Sequence, residues 1–277
     1  MQIKPGDTVL LTGASGGLGT FMAHAFADLK VKLVLVAHPG VGLEELQRTI
    51  ESRGVKAVVI YSDLRDARQR RELLPQIKKE LGPVDILVNN AGIEFTSKYH
   101  DLSEENICDV LKVNLEAPMI LSRLLLPEML ERKRGHIVNI SSLAGKSGPA
   151  FQEPYSASKA GLIAFTSSLR ATYRGTGVGA SVIIPGFVEA GIYANLKERT
   201  GCAAPALLGT SPPEAVARAV LRAIERDLPE VIVNPLPVRP LFAMTALFPS
   251  AGEWVVRKIG SNDFFKRVVE AQKRGQI

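Results

Sequence analysis

Short apolar runs recur along most of the chain: Thr8-Val9-Leu10-Leu11, Leu33-Val34-Leu35-Val36, Ala57-Val58-Val59-Ile60, Ile86-Leu87-Val88, Ile137-Val138-Asn139-Ile140 and Ala180-Ser181-Val182-Ile183-Ile184. Between them apolar residues fall at helical spacing, as with Leu18, Phe21, Met22, Ala25, Phe26 and Leu29 in the segment from Gly17 to Leu29. The segment from Glu44 to Arg53 stops at Gly54, as a helix C-terminus does. The runs are continuous instead of alternating, so both faces of their sheet must be covered. This predicts an α/β, Rossmann-like fold: a doubly wound parallel sheet with helices on both faces. Ligands of such sheets bind beyond the carboxyl ends of the strands, where strand order reverses.

With 277 residues the chain has room for one large domain, read here as residues 1–235, followed by a C-terminal extension over 236–277 where Pro235, Pro237 and Pro240 break the pattern. Just before it, Ser211-Pro212-Pro213-Glu214 predicts a capped helix start leading into Ala215 to Arg226. The two cysteines, Cys108 and Cys202, form no metal-spaced cluster, and no metal site is expected. Met1 to Asp7 lead straight into the first strand with no room for a secretory leader, so a cytoplasmic protein is expected. Of the net charge of +6, the extension carries +4, seven basic residues against three acidic. No Lys/Arg stripe interleaves with aromatics, which argues against a nucleic-acid partner. The extension also holds Leu241, Phe242, Leu247, Phe248, Trp254 and Val255. Two readings stand: it packs over the domain or a second subunit, or it attaches weakly to a membrane surface or a lipid-like substrate.

Candidate chemistry lies just after the strands. Gly13, Gly17 and Gly19 sit between the first strand and a helix, where bare backbone and free helix N–H groups suit a pyrophosphate. Tyr155 and Lys159 stand four residues apart, thirteen residues after Ser142. On one helix they share a face, and an adjacent ammonium is expected to draw the phenol below its usual pKa of about 10. Spacing alone proves little, because Tyr193 and Lys197 repeat it with Ala180 in the serine's place.

Together Thr12-Gly13-x-x-x-Gly17-x-Gly19, Asp63-Leu64, Asn89-Asn90-Ala91-Gly92, Asn114, Ser142, Tyr155-x-x-x-Lys159 and Pro185-Gly186 resemble the short-chain dehydrogenase/reductase family over roughly residues 6 to 235. The resemblance implies an NAD(P)-dependent oxidoreductase interconverting a carbonyl and an alcohol. Tyr155 would be the general acid/base, Lys159 would hold the nicotinamide ribose, Ser142 would orient the substrate and Asn114 would fix a water relay. It places the cofactor against Gly13, Ser15, Gly16, Gly17, Leu18, Gly19, His38, Asp63, Leu64, Asn90, Ala91, Gly92, Tyr155, Lys159, Pro185, Gly186 and Val188. Asp63 has a rival role as a turn or cap residue before Arg65, and Asn90 a rival role in tying strand ends together.

The chain departs from the family in two places. Val36-Ala37-His38-Pro39 has no acid to accept the ribose diol of NAD, which leans toward NADP(H) with NAD(H) left open. After Pro185-Gly186 a commonly found threonine is missing, and a backbone contact from Val188 is expected to replace it. Glu94, Phe95, Phe151, Phe187, Ile192 and Tyr193 are loop-borne candidates for an apolar substrate pocket, with Gln152 as a polar addition. A hydrophobic carbonyl or alcohol is thus the expected substrate, and the resemblance implies a homo-oligomer. A catalytically silent nucleotide-binding regulator or scaffold on the same fold is the alternative.

Overall fold

The computed structural model describes residues 1–274. Seven strands, β1 (Thr8–Thr12), β2 (Lys32–Ala37), β3 (Ala57–Tyr61), β4 (Ile86–Asn89), β5 (Gly135–Ile140), β6 (Val178–Pro185) and β7 (Glu230–Val233), form one sheet in the order β3-β2-β1-β4-β5-β6-β7. Every neighbouring pair is parallel. Successive residues of a strand supply opposite cores. Val9, Leu11, Leu33 and Leu35 pack with α1 (Gly17–Asp28), α2 (Glu44–Glu51) and α8 (Pro213–Glu225) on one face. Leu10, Val34, Val36 and Leu87 meet α3 (Ala67–Leu81) and α5 (Ala117–Glu131) on the other. This is why the strands read as unbroken apolar runs. Strand order reverses between β1 and β4, which opens a crevice above their carboxyl ends.

The seventh strand was absent from the sequence reading. It pairs only with β6, at the sheet edge, where Val231 and Val233 are buried while Glu230 and Ile232 stay partly exposed. The expected cap at Ser211 is also corrected. The helix α8 has no side-chain cap, and buried Ser211 instead bridges Val188, its amide donating to the Phe187 carbonyl at 2.8 Å.

Beyond β7 the extension forms α9 (Arg239–Leu247), α10 (Pro249–Ile259) and α11 (Ser261–Lys273). The first two make a tight hairpin: a Cβ at Gly252 would lie 2.6 Å from the Thr245 backbone, so only glycine lets the helices cross so closely. The third inserts Phe264, fully buried, beside Phe187 and Tyr193 of the segment around α7 (Gly191–Thr200). Its ring stands edge-on to Phe187 at a centroid distance of 5.1 Å. Among the described residues no helix is long and apolar enough to cross a membrane, and no cluster of metal-ligating side chains occurs.

Candidate active site

The turn after β1 is shaped by contacts within the protein as well as by any ligand. Gly13 has φ of 65°, and a Cβ there would come within 2.7 Å of the Ala91 backbone. A Cβ on Gly17 would lie 2.4 Å from the Gly191 nitrogen, and one on Gly19 would lie 2.2 Å from the Gly13 carbonyl oxygen. The turn is therefore bare because β4, the loop after β6 and its own first strand crowd it from three sides. Gly16 is the N-cap of α1, and no side chain caps that end. Its amides point to an anion site, so the residues present fit a dinucleotide pyrophosphate.

Asn90 ties this turn to β4. Its side-chain amide donates to the carbonyls of Thr12 and Gly13 at 3.1 and 2.9 Å, while the Thr12 hydroxyl accepts from the Asn90 and Ala91 amides. Asp63 likewise fills its rival role, accepting from the Arg65 amide at 2.9 Å. It also pairs with the Arg65 guanidinium at 2.8 Å, and the hydrogen bond to Arg65 holds its carboxyl below the usual carboxylate range. Arg65 reaches Asp109 at 2.7 Å and lies 3.4 Å from His38 Nε2. The sequence reading passed over Arg65 as a site residue, yet it lines the crevice at the end of β2.

On the other side of the crevice α6 (Glu153–Thr172) carries Tyr155 and Lys159 on one face. The Lys159 ammonium is buried, donates to the Ile140 carbonyl at 3.0 Å and lies 5.6 Å from the Tyr155 ring centroid. Ser142 follows β5 in extended conformation, and its hydroxyl accepts from the Ala144 amide at 3.2 Å. Asn114 sits in a short π-helical turn over Lys112–Glu116, which breaks the α-helical ladder between α4 (Glu104–Leu111) and α5. Fully buried, it exchanges two 2.9 Å hydrogen bonds with the Ile93 backbone and donates to the Ser158 hydroxyl at 3.2 Å. A Cβ on Gly92 would lie 3.3 Å from Lys159 Nζ and 3.4 Å from Asn114 Oδ1, so the absent side chain leaves these two groups facing each other across Gly92.

The expected electrostatics are corrected. Burial pushes the Tyr155 phenol up to about 12, opposed by a hydrogen bond from Ser142 and reinforced by the Glu94 charge. Burial also pulls Lys159 down to about 8. Desolvation thus sets the direction of both shifts, and the Ser142 hydrogen bond offsets only part of it at Tyr155. Lys159 is an ammonium below about pH 8 and loses its charge as pH rises through that value. Glu94 is fixed by Gln152 at 2.8 Å and by Thr96 at 2.5 Å. Because its charge disfavours the phenolate, Glu94→Gln is expected to move the Tyr155 limb of the kcat/KM profile to lower pH. A pH series on both proteins checks this, and an upward move would contradict it.

One crevice of about 720 Å³ runs from the glycine turn past Tyr155 to the extension. Its wall takes in the expected residues with three exceptions: Gly19 packs against the Gly13 turn, Asn114 lies behind Ile93, and Phe151 packs against the Phe264 cluster. Leu241 and Phe242 of α9, Val256 and Ile259 of α10, and Phe265 of α11 complete it. The sequence marks those residues only as part of a packing or membrane-attached extension, because nothing local says that a helix after residue 236 folds back over the crevice.

A family model described as short chain dehydrogenase matches residues 7–201. The chain is 42% identical over 275 residues to a ketoacyl reductase HetN of Nostoc sp. strain PCC 7120, covering 98% of this chain and 95% of that one. It is 32% identical over 264 residues to a dehydrogenase/reductase SDR family protein 7-like of Anopheles gambiae, covering 91% and 83%. Among solved structures, a metagenomic short-chain oxidoreductase in complex with NADP superposes with a TM-score of 0.72 at 30% identity, over 84% of this chain and 99% of that one. An actinorhodin polyketide ketoreductase variant with NADPH gives 0.77 at 28% identity, over 83% and 97%. With this sheet order, this crevice and these matches, the chain belongs to the short-chain dehydrogenase/reductase family of oxidoreductases.

Proposed function

We propose that the protein reduces a ketone or aldehyde on a hydrophobic small molecule with NADPH, or oxidises the corresponding alcohol. The observation that carries this reading is the single crevice joining the glycine turn, Tyr155 and an apolar wall. NADPH supplies the hydride. The chain's own residues do the rest: Ser142 and Tyr155 hold the carbonyl oxygen, Tyr155 Oη gives it a proton, and Lys159 orients the nicotinamide side of the nucleotide. Asn114, held by the Ile93 backbone and the Ser158 hydroxyl, would fix a water relay to Lys159. The ketoacyl reductases among the relatives support a carbonyl substrate, and the NADP complexes among the solved relatives support the phosphorylated cofactor. A homo-oligomer, a cytoplasmic setting and a weak attachment of the extension to membranes complete the reading.

The cofactor assignment rests on the end of β2, where Ala37-His38-Pro39 offers no acid and Arg65 lies beside His38. His38→Asp is expected to lower the ratio of kcat/KM for NADPH over NADH by about tenfold, as a carboxylate there repels the extra phosphate and accepts from the ribose diol. The same assay, run on a panel of apolar ketones, tests the activity itself. Dinucleotide binding with no turnover of any carbonyl would instead favour the silent regulator.

A further inference from the structure

The hairpin of α9 and α10 has two different apolar faces. Leu241, Phe242, Val256 and Ile259 look into the crevice. Leu247, Phe248 and Trp254 look out, with 73%, 63% and 53% of their surface exposed, which makes them the largest exposed apolar group in the extension. Single exposed apolar residues are ordinary, but three bulky ones within eight residues of one hairpin are not. Arg257 and Lys258 follow them, and the Lys258 ammonium lies 5.9 Å from the Trp254 ring centroid. Between residues 239 and 259 the only acid is Glu253, against Arg239, Arg257 and Lys258. An aromatic side chain flanked by cations beside exposed Leu and Phe matches the interfacial zone of an anionic bilayer.

We infer that the α9–α10 corner docks on an anionic bilayer and that the substrate is a membrane-borne lipid carbonyl, entering the crevice along the hairpin's inner face. This rests on the proposed carbonyl reduction, which it deepens by naming where the substrate comes from. The geometry makes docking and access one event. The helices that would touch lipid are the helices that wall the crevice, and Gly252 holds them close. The acyl part of such a substrate would run from the bilayer along Phe242 and Val256 while its carbonyl reaches Tyr155.

Trp254 is the only tryptophan in the chain, so its emission reports on this corner alone. Vesicles of phosphatidylcholine with one third phosphatidylglycerol, added to the full-length protein, are expected to shift that emission to the blue and to pellet the protein. Phosphatidylcholine alone is expected to pellet at least about tenfold less. The double variant Leu247→Asp with Phe248→Asp is expected to lose pelleting and at least about tenfold of its turnover of a long-chain ketone embedded in vesicles, while reducing a short water-soluble ketone like the parent. No shift at excess anionic lipid would overturn the inference. So would a shift that depends on protein concentration without lipid, which identifies a second copy as the occupant, or full turnover of the embedded ketone by the double variant. Binding is read without catalysis, so absence of ketone reduction altogether would count against the proposed function and leave the docking result standing.

Discussion

Tyr155→Phe is expected to lower kcat for ketone reduction by about 10²–10⁴-fold, the usual loss when a positioned general acid is removed. On the proposed mechanism, loss of the Oη atom removes the proton donor and one of the two hydroxyls assigned to the carbonyl oxygen. The ring itself stays, with its place in α6 and its contact to Lys159 at 5.6 Å. Dinucleotide affinity should therefore hold, since the glycine turn and Lys159 are untouched. Steady-state kinetics beside titration of NADPH fluorescence separates the two quantities. Equal loss of binding and turnover would mean that Tyr155 positions the nucleotide instead of donating a proton. Burial pushes the phenol up and so favours the protonated form, which suits it to donate in the direction of reduction.

The second large effect concerns stability. Phe264 is fully buried and stacks edge-on with Phe187 and Phe265, at centroid distances of 5.1 and 4.9 Å. Phe264→Ala is expected to cost about 3–5 kcal/mol, the transfer of the ring plus the cavity it leaves. For a domain of this size the thermal midpoint should fall by on the order of 10 °C. Because Phe187, Ile192 and Phe265 share this cluster and the crevice wall, KM for long apolar ketones should rise in the same variant. Calorimetry with a substrate series checks both. An unchanged midpoint would show that α11 is a dispensable appendage and not part of the packed protein.

Much of the fold was open to reading because a parallel sheet covered on both faces writes itself as unbroken runs of Val, Ile and Leu, and six strands showed them. The edge strand β7 carries the short run Val231-Ile232-Val233, but Pro235 and Pro237 follow it at once, and its pairing with β6 is a tertiary fact that the local pattern does not display. Tyr155, Lys159, Ser142 and the glycine turn were legible as spacings tied to strand ends. Arg65 was not: its place beside His38 depends on how the loop after β3 folds across the end of β2, and on Asp109 from α4. The crevice wall from α9 to α11 escaped for the same reason, being a matter of tertiary return and not local pattern. The sign of the Tyr155 shift was misjudged because residue spacing displays the neighbouring ammonium but not the desolvation of both groups.

On the proposed mechanism, one crevice brings a proton donor, a serine hydroxyl and the hydride-bearing carbon of NADPH around the same carbonyl. A crystal structure of the protein with NADPH tests it most directly. The nicotinamide is predicted to lie between Lys159 and the Phe187 loop, with its C4 facing the Tyr155 and Ser142 hydroxyls. A nicotinamide held elsewhere, with that pair facing only protein, would contradict it.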